Sequence, residues 1–152
     1  MRDKSYHTIL VVDDDQDILS LLSKWFNDEG LQITTANSGE QALEQIEKNM
    51  PSLIISDLFM GEVSGLDLLT KVHGKNPLLP VIILSGQASI PDAIKATHLG
   101  SAAFITKPID RQALLNSVKR YLRLVPDSNI KKIFESKLIY QSKIMSRTQM
   151  LT

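Results

Sequence analysis

The chain has 152 residues, of which 43% are apolar, 22% charged and 5% aromatic, the composition of one ordinary globular domain with a short appendage. Its apolar runs are far shorter than the roughly 18 to 20 residues that cross a bilayer, and the polar residues 1–7 do not resemble a signal peptide, so we expect no membrane partner. There is no cysteine, which excludes disulfides, thiolate metal sites and cysteine nucleophiles and fits a cytoplasmic location.

The charges sum to zero but are unevenly distributed. From Lys119 onward there are eight basic residues and two acidic ones, which leaves an excess of acidic residues before that point. A basic segment of this kind is most often a solvated helix face, and contact with nucleic acid is the alternative interpretation.

Continuous apolar runs predict β-strands that are buried on both faces. Four such runs occupy 9–12, 53–55, 81–84 and 102–105, and 31–35 supplies a further strand. Segments with helical spacing lie between them; Ile18, Leu22, Trp25 and Phe26 are one example. Alternating strands and helices require right-handed crossovers, so we predict a three-layer, doubly wound α/β domain with a parallel sheet, ending near Leu124.

Capping residues and glycines mark the predicted helix boundaries. The segment 38–41 predicts a capping box, and Ser89 predicts another helix start with Pro91 in its first turn. Gly30 and Gly100 stand where a helix gives way to a strand, the usual place for a left-handed residue.

The pattern changes after Pro126, which cannot continue the preceding helix. Residues 127–145 are predicted to be helical with an irregular apolar stripe, and 146–152 to be frayed. We therefore divide the chain into a domain at 7–124 and a basic linker helix with a frayed tail at 125–152.

Polar side chains follow the apolar runs where the strands are predicted to end. They are Asp13, Asp14, Asp57, Ser85 and Lys107. Ligands bind at the carboxyl ends of parallel strands, so these side chains converge on one edge. Carboxylates and a backbone carbonyl are suitable ligands for Mg²⁺, and a lysine and a hydroxyl can bind phosphoryl oxygens. An aspartate at such a site can act as a nucleophile and form an aspartyl-phosphate. Without a metal ion, the clustered carboxylates would raise the pKa of at least one of them.

Each of these residues also has a purely structural interpretation. The acidic run at 13–15 is typical of a helix N-terminus, and Asp57 could be a turn residue. Ser85-Gly86 could be part of a loop, and Lys107-Pro108 could be the end of a strand. Their joint occurrence at successive strand ends favours a functional site.

Four motifs carry a family resemblance: ILVVDDDQDI, IISDLFMGEVSGLDLL, VIILSGQASIPDAI and GSAAFITKPID. Through them, residues 7–124 resemble the receiver domains of two-component response regulators. The resemblance implies a CheY-like (flavodoxin-like) fold: a five-stranded parallel sheet of strand order 2-1-3-4-5, here with a C-terminal linker helix. It also implies a signalling domain rather than an enzyme.

The resemblance also implies residue roles. Asp57 would accept a phosphoryl group from a sensor histidine kinase, and Lys107 would bind that group. Mg²⁺ would be held by Asp13, Asp14, Asp57 and the Phe59 carbonyl. The switch residues would be Ser85 and Phe104. The Lys107-Pro108 bond is typically cis in this family. Phosphorylation would remodel the surface of the fourth helix, fifth strand and fifth helix, where a partner or a second copy would bind.

Two segments resemble one branch of the family, the NtrC-type, sigma-54-dependent activators of the GlrR/QseF kind. These segments are 86–93 and 140–145. The resemblance implies a chain truncated before its ATPase domain, one that reaches DNA only indirectly through missing output domains. A homodimer would form through the receiver surface or the tail helix.

Four positions depart from the family pattern. Gly61 replaces a usual proline, Ser64 a frequent acidic residue, and Phe104 lacks the hydroxyl of a tyrosine. The fourth position, Phe59, is one that governs water access in this family, and its bulk is expected to lengthen the phosphoryl lifetime.

Two other functions compete with the response regulator. One is a stand-alone receiver that acts by protein–protein interaction, and the other a Mg²⁺-dependent aspartyl phosphatase, for which Asp13 and Asp15 have the spacing. His7, His73 and His98 are scattered without metal-ligand spacing, which indicates surface or packing residues.

Overall fold

Strands and helices alternate through the whole of the part that the computed structural model describes, residues 8–87 and 89–122. The elements are β1 (Thr8–Val12), α1 (Gln16–Asp28), β2 (Gln32–Ala36), α2 (Gly39–Lys48), β3 (Leu53–Asp57), α3 (Gly65–Lys75), β4 (Val81–Ser85), α4 (Ile90–His98), β5 (Ala103–Thr106) and α5 (Arg111–Leu122). All strand pairs are parallel, in the order β2-β1-β3-β4-β5. The predicted fold is confirmed, whereas the predicted helix in 125–152 lies outside the described residues.

The sheet separates two apolar layers because successive side chains of a strand point to opposite faces. Leu10 and Val12 of β1 pack with α2, α3 and α4, whereas Ile9 and Val11 pack with α1 and α5. Both faces of β1, β3 and β4 are therefore covered, which explains their continuous apolar sequences.

The prediction that the strand at 102–105 is buried on both faces is wrong. Residues Ala103–Ile105 are only partly buried and Thr106 is exposed. The reason is position: β5 is an edge strand that pairs with β4 alone in the described sheet. An apolar run distinguishes strands from loops, but it does not distinguish a central strand from an edge strand.

Helix caps follow the predictions with one local difference. Ser89 and Asp92 form a complete capping box at α4, and Gly30 and Gly100 have φ angles of 74° and 96°. At α2 the Ser38 hydroxyl accepts the Gln41 N–H at 3.1 Å, as predicted. The Gln41 side chain, however, accepts the N–H of residue 37 instead of that of the cap residue, so this box is displaced by one residue.

No helix within 8–87 and 89–122 has the length and apolarity that a membrane crossing requires.

Candidate functional site

The first acidic group lies between β1 and α1. Asp15 is the N-cap of α1 and its carboxylate accepts the Asp17 N–H at 2.9 Å, so the helix-capping interpretation holds for this residue. Asp13 is buried and Asp14 is exposed. Oδ1 of Asp13 accepts the Asp15 N–H at 2.9 Å, and its Oδ2 accepts a hydrogen bond from Lys107 Nζ at 3.1 Å. Capping and site formation are thus divided among adjacent aspartates.

Asp57 is the last residue of β3 and is 9% exposed. Its backbone is fixed on both sides. The buried Ser56 hydroxyl donates to the Asp57 carbonyl oxygen at 2.9 Å, and the following N–H, of Leu58, donates to the Leu84 carbonyl at 2.8 Å. The carboxylate is therefore presented from a rigid part of the sheet.

Lys107 follows β5 and brings the only ammonium group that the described residues place among these carboxylates. Its Nζ lies 3.1 Å from Asp13 Oδ2 and 3.3 Å from Asp57 Oδ1. Its backbone N–H donates to the Ser85 carbonyl at 2.8 Å, and the Lys107-Pro108 peptide bond is cis, as the resemblance implied. One cation thereby bridges the ends of β1 and β3.

The carboxylates form one cluster. Oxygen atoms of Asp13, Asp14 and Asp57 all lie within 4.8 Å of one another. Two of these groups are buried and one is exposed, so the cluster opens to solvent on one side. Several hard oxygen donors with an open side fit Mg²⁺, which keeps some of its water and shares a substrate phosphate.

The charges perturb one another. Burial raises the pKa of Asp57 above the ordinary value, the Asp13 charge raises it further, and the Lys107 charge and hydrogen bond only partly offset this. Burial lowers the pKa of Lys107, but the hydrogen bond and charge of Asp13, together with those of Asp57, outweigh burial and leave this pKa raised. The direction agrees with the predicted rise of a carboxyl pKa, and the group concerned is Asp57, but burial is the largest cause and the neighbouring carboxylate the second.

The remaining predicted residues lie on β4, on β5 and two residues beyond Asp57. Ser85 is buried at the end of β4, where its Oγ accepts the Gln87 N–H at 3.3 Å. Phe104 of β5 is partly buried and packs against the apolar layer of α2, α3 and α4. Phe59 is 54% exposed just beyond Asp57. The structure thus joins Asp13, Asp57 and Lys107 by direct contacts, adds Asp14 to the cluster, and places the other three on flanking segments.

Gly65 is a positioning residue to which the sequence analysis assigned no role. A Cβ atom at this glycine would lie 2.4 Å from the Asp57 carbonyl oxygen and 3.1 Å from the Leu58 Cα. Its N–H donates to the Leu58 carbonyl at 2.9 Å. The start of α3 therefore contacts the backbone of the acidic site directly. A glycine eight residues after an aspartate was the only available signal, and it does not specify this contact.

A sequence profile for the family described as response regulator receiver domain matches residues 9–119. The chain therefore belongs to the receiver domain family of two-component response regulators, a family of signalling domains.

Among its curated relatives is the transcriptional regulatory protein GlrR of Escherichia coli, 41% identical over 110 residues, which cover 72% of this chain and 25% of GlrR. The response regulator protein TodT of Pseudomonas putida is 32% identical over 145 residues, covering 94% of this chain and 64% of TodT. The match to GlrR confirms the resemblance to that branch, and the chain spans a quarter of the length of that relative.

Solved structures show the same fold. A receiver domain protein from Clostridium thermocellum has a TM-score of 0.75 and 28% identity, covering 84% of this chain and 98% of that one. The receiver domain of NtrX from Brucella abortus has a TM-score of 0.72 and 35% identity, covering 76% and 98%. In each case nearly the whole solved domain is matched.

Proposed function

We propose that Asp57 accepts a phosphoryl group from a sensor histidine kinase in a Mg²⁺-dependent reaction. The observation that supports this most directly is the double contact of Lys107 Nζ with Asp57 and Asp13 at the carboxyl edge of the sheet. A carboxylate with an ammonium group and further acidic oxygens beside it can receive a phosphoryl group whose charge is neutralised as it arrives.

The transfer is an in-line displacement. A carboxylate oxygen of Asp57 attacks phosphorus, a P–O bond forms, and the bond from phosphorus to the donor breaks, with its electron pair leaving on the imidazole nitrogen of a phosphohistidine or the oxygen of an acyl phosphate. Lys107 Nζ lies 3.3 Å from Asp57 Oδ1 and would bind an oxygen of the incoming group. Because Asp57 is nearly buried, water has limited access to the product.

Asp13, Asp14, Asp57 and the backbone carbonyl of Phe59 would hold the metal ion, which when bound supplies positive charge to the phosphoryl oxygens. Asp13 is already oriented by the Asp15 N–H and by Lys107. Asp14, which is exposed, is the carboxylate most accessible from solvent. The two residues thus contribute differently: Asp13 is held by hydrogen bonds, and Asp14 is exposed to solvent.

Ser85 and Phe104 are the proposed switch residues. The Ser85 hydroxyl would turn toward the phosphoryl oxygens, and Phe104 would move into the space that this rotation vacates. Phe104 belongs to the edge strand β5 and is only partly buried, so its movement disrupts less packing than that of a central residue. The movement would change the surface of α4, β5 and α5 and, through it, binding of a partner or a second copy.

We propose, by analogy with the GlrR branch, that the receiver controls transcription. Residues 7–124 would form the receiver and 125–152 a basic linker, leading in a longer protein to a sigma-54-dependent ATPase domain and a DNA-binding domain. DNA would be reached only through those domains. Phe59, exposed beside Asp57, would limit water access and lengthen the phosphoryl lifetime.

Chemical trapping tests the assignment. The protein is treated with acetyl phosphate and Mg²⁺, reduced with borohydride, which converts an acyl phosphate to an alcohol, and digested for peptide mass spectrometry. We expect homoserine at position 57 alone. Homoserine at Asp13 or Asp14 instead would contradict the assignment, and Asp17→Asn, which changes an exposed carboxylate outside the cluster, serves as the matched control.

A further inference from the structure

His73, near the end of α3, contacts two other parts of the fold: the residues just before β4 and the C-terminal end of α4. Its Nε2 lies 2.9 Å from the carbonyl oxygen of Leu79, just before β4, and its Nδ1 lies 3.3 Å from the carbonyl oxygen of Leu99, the C-cap of α4. Both ring nitrogens therefore face acceptors.

Two carbonyl oxygens require two N–H donors. A neutral imidazole carries one N–H, and its other nitrogen bears a lone pair, whereas an imidazolium carries two. Only the protonated ring satisfies both contacts. Leu99 also ends a helix, where exposed carbonyls carry partial negative charge and favour a cation.

The backbone at Gly100 lies close to the imidazole ring of His73. Gly100 has a φ of 96°, and a Cβ atom there would lie 3.0 Å from Nδ1 of His73. The missing side chain therefore lets the α4–β5 turn approach the imidazole. The turn itself is ordered by hydrogen bonds from the N–H groups of Gly100 to Thr97 and of Ser101 to Ala96.

Helix α4 has few other attachments. Ala96 is its only buried residue, and Ile90 and Ile94 are 79% and 54% exposed. The partly buried Leu99 adds apolar packing at the C-terminal end, and the His73 contact with its carbonyl adds a polar attachment there.

We propose that His73 is a proton-dependent clamp on the C-terminal end of α4. When protonated, the ring binds the Leu79 and Leu99 carbonyls together and fixes α4 against α3 and β4. When neutral, it keeps the proton on Nε2, where the contact is shorter, and releases Leu99. Because histidine changes charge between about pH 5 and 8, acidification would hold α4, and with it the α4–β5–α5 surface, in the observed position.

Other ionisable groups on the adjoining helix ends are Lys71 and Lys75 of α3 and Lys95 and His98 of α4. Lys75 is paired with Glu47 of α2 at 3.5 Å. β4 and the connections 76–80 and 99–102 contain no ionisable side chain. Of these groups only His98 is a histidine like His73, and it is exposed.

Amide hydrogen exchange followed by NMR between pH 5.5 and 7.5 tests the clamp, with no phosphoryl donor present, so that the result is independent of the role proposed for Asp57. Rates at Leu99, Gly100 and Ser101 are corrected for intrinsic exchange and referred to amides of α1. We expect exchange at the three sites to be about twofold to tenfold slower at the acidic end, the effect of one added hydrogen bond. His73→Gln should abolish this dependence, and His98→Gln should retain it.

A ring measurement covers the case in which His73→Gln does not fold. In wild-type protein, ¹⁵N chemical shifts of the imidazole should show both nitrogens protonated at pH 5.5 and only Nε2 protonated at pH 7.5. A neutral ring that carries its proton on Nδ1, exchange rates that do not change with pH, or loss of the dependence in His98→Gln would each overturn the proposal.

Discussion

Lys107, just after β5, and Asp57, the last residue of β3, form an ion pair of 3.3 Å although their strands do not pair, since β4 lies between β5 and β3. The lysine side chain spans this intervening strand and also contacts Asp13, 3.1 Å away. The pair connects the residue that follows the edge strand β5 to the end of the central strand β3.

Removal of the cation should change the titration of its partner. In Lys107→Met we expect the pKa of Asp57, already raised by burial and by Asp13, to rise further because the lowering influence of Lys107 is lost. Carboxyl ¹³C NMR titration measures this value. Lys24→Met, a change at an exposed lysine of α1, is the control. An unchanged Asp57 titration in Lys107→Met would show that the ion pair is electrostatically unimportant.

The raised pKa also predicts how stability depends on pH. The folded state keeps the Asp57 proton at pH values where the unfolded chain has lost it, so this residue makes stability fall as pH rises through the window between the unfolded and folded pKa values. Asparagine resembles the protonated form. In metal-free protein at pH 7, Asp57→Asn should therefore be more stable than wild type.

Urea unfolding of both proteins in EDTA at pH 4, 5.5 and 7 measures the difference in unfolding free energy. It should grow with pH in favour of Asp57→Asn. A difference that is constant, or that shrinks as pH rises, would contradict the direction of the pKa shift.

Metal binding should counteract the same repulsion. Mg²⁺ held by the acidic cluster stabilises the folded state by mass action, so the melting temperature of wild type should rise with Mg²⁺ concentration. Asp14→Asn removes a ligand from the open side of the cluster and should reduce this rise, whereas Asp17→Asn should retain it. Calorimetry provides the measurement, and an equal rise in both variants would place the ion elsewhere.

Much of this site could be predicted because parallel strands place their carboxyl ends on one edge. Apolar runs located β1, β3 and β4. The aspartates after the first two of these runs are the ones that meet, together with Lys107 after β5. The low burial of β5 was missed because an edge strand and a central strand can have similar sequences.

Contacts that depend on three-dimensional approach were also missed. His73 reaches the carbonyl oxygen of Leu99, 26 residues away, and Gly65 packs against the Asp57 backbone. No spacing rule relates such residues, since their proximity arises only when α3 packs on the sheet.

Two glycines of α3 provide a matched pair of substitutions. Gly65→Ala places a methyl group 2.4 Å from the Asp57 carbonyl oxygen, and we expect a loss of about 1–3 kcal/mol of unfolding free energy from overpacking together with slower phosphorylation. Gly74→Ala meets no atom within 4 Å and should stabilise the helix by roughly 0.5–1 kcal/mol. Chemical denaturation measures both values. A Gly65→Ala protein as stable as wild type would show that α3 can move without cost.

Intact mass spectrometry after incubation with acetyl phosphate is the most direct test of Asp57 as a Mg²⁺-dependent phosphoacceptor. We expect the mass of one added phosphoryl group in wild type and in Asp17→Asn when Mg²⁺ is present, and none in EDTA or in Asp57→Asn. Full labelling of Asp57→Asn, or equal labelling of wild type with and without Mg²⁺, would contradict this assignment.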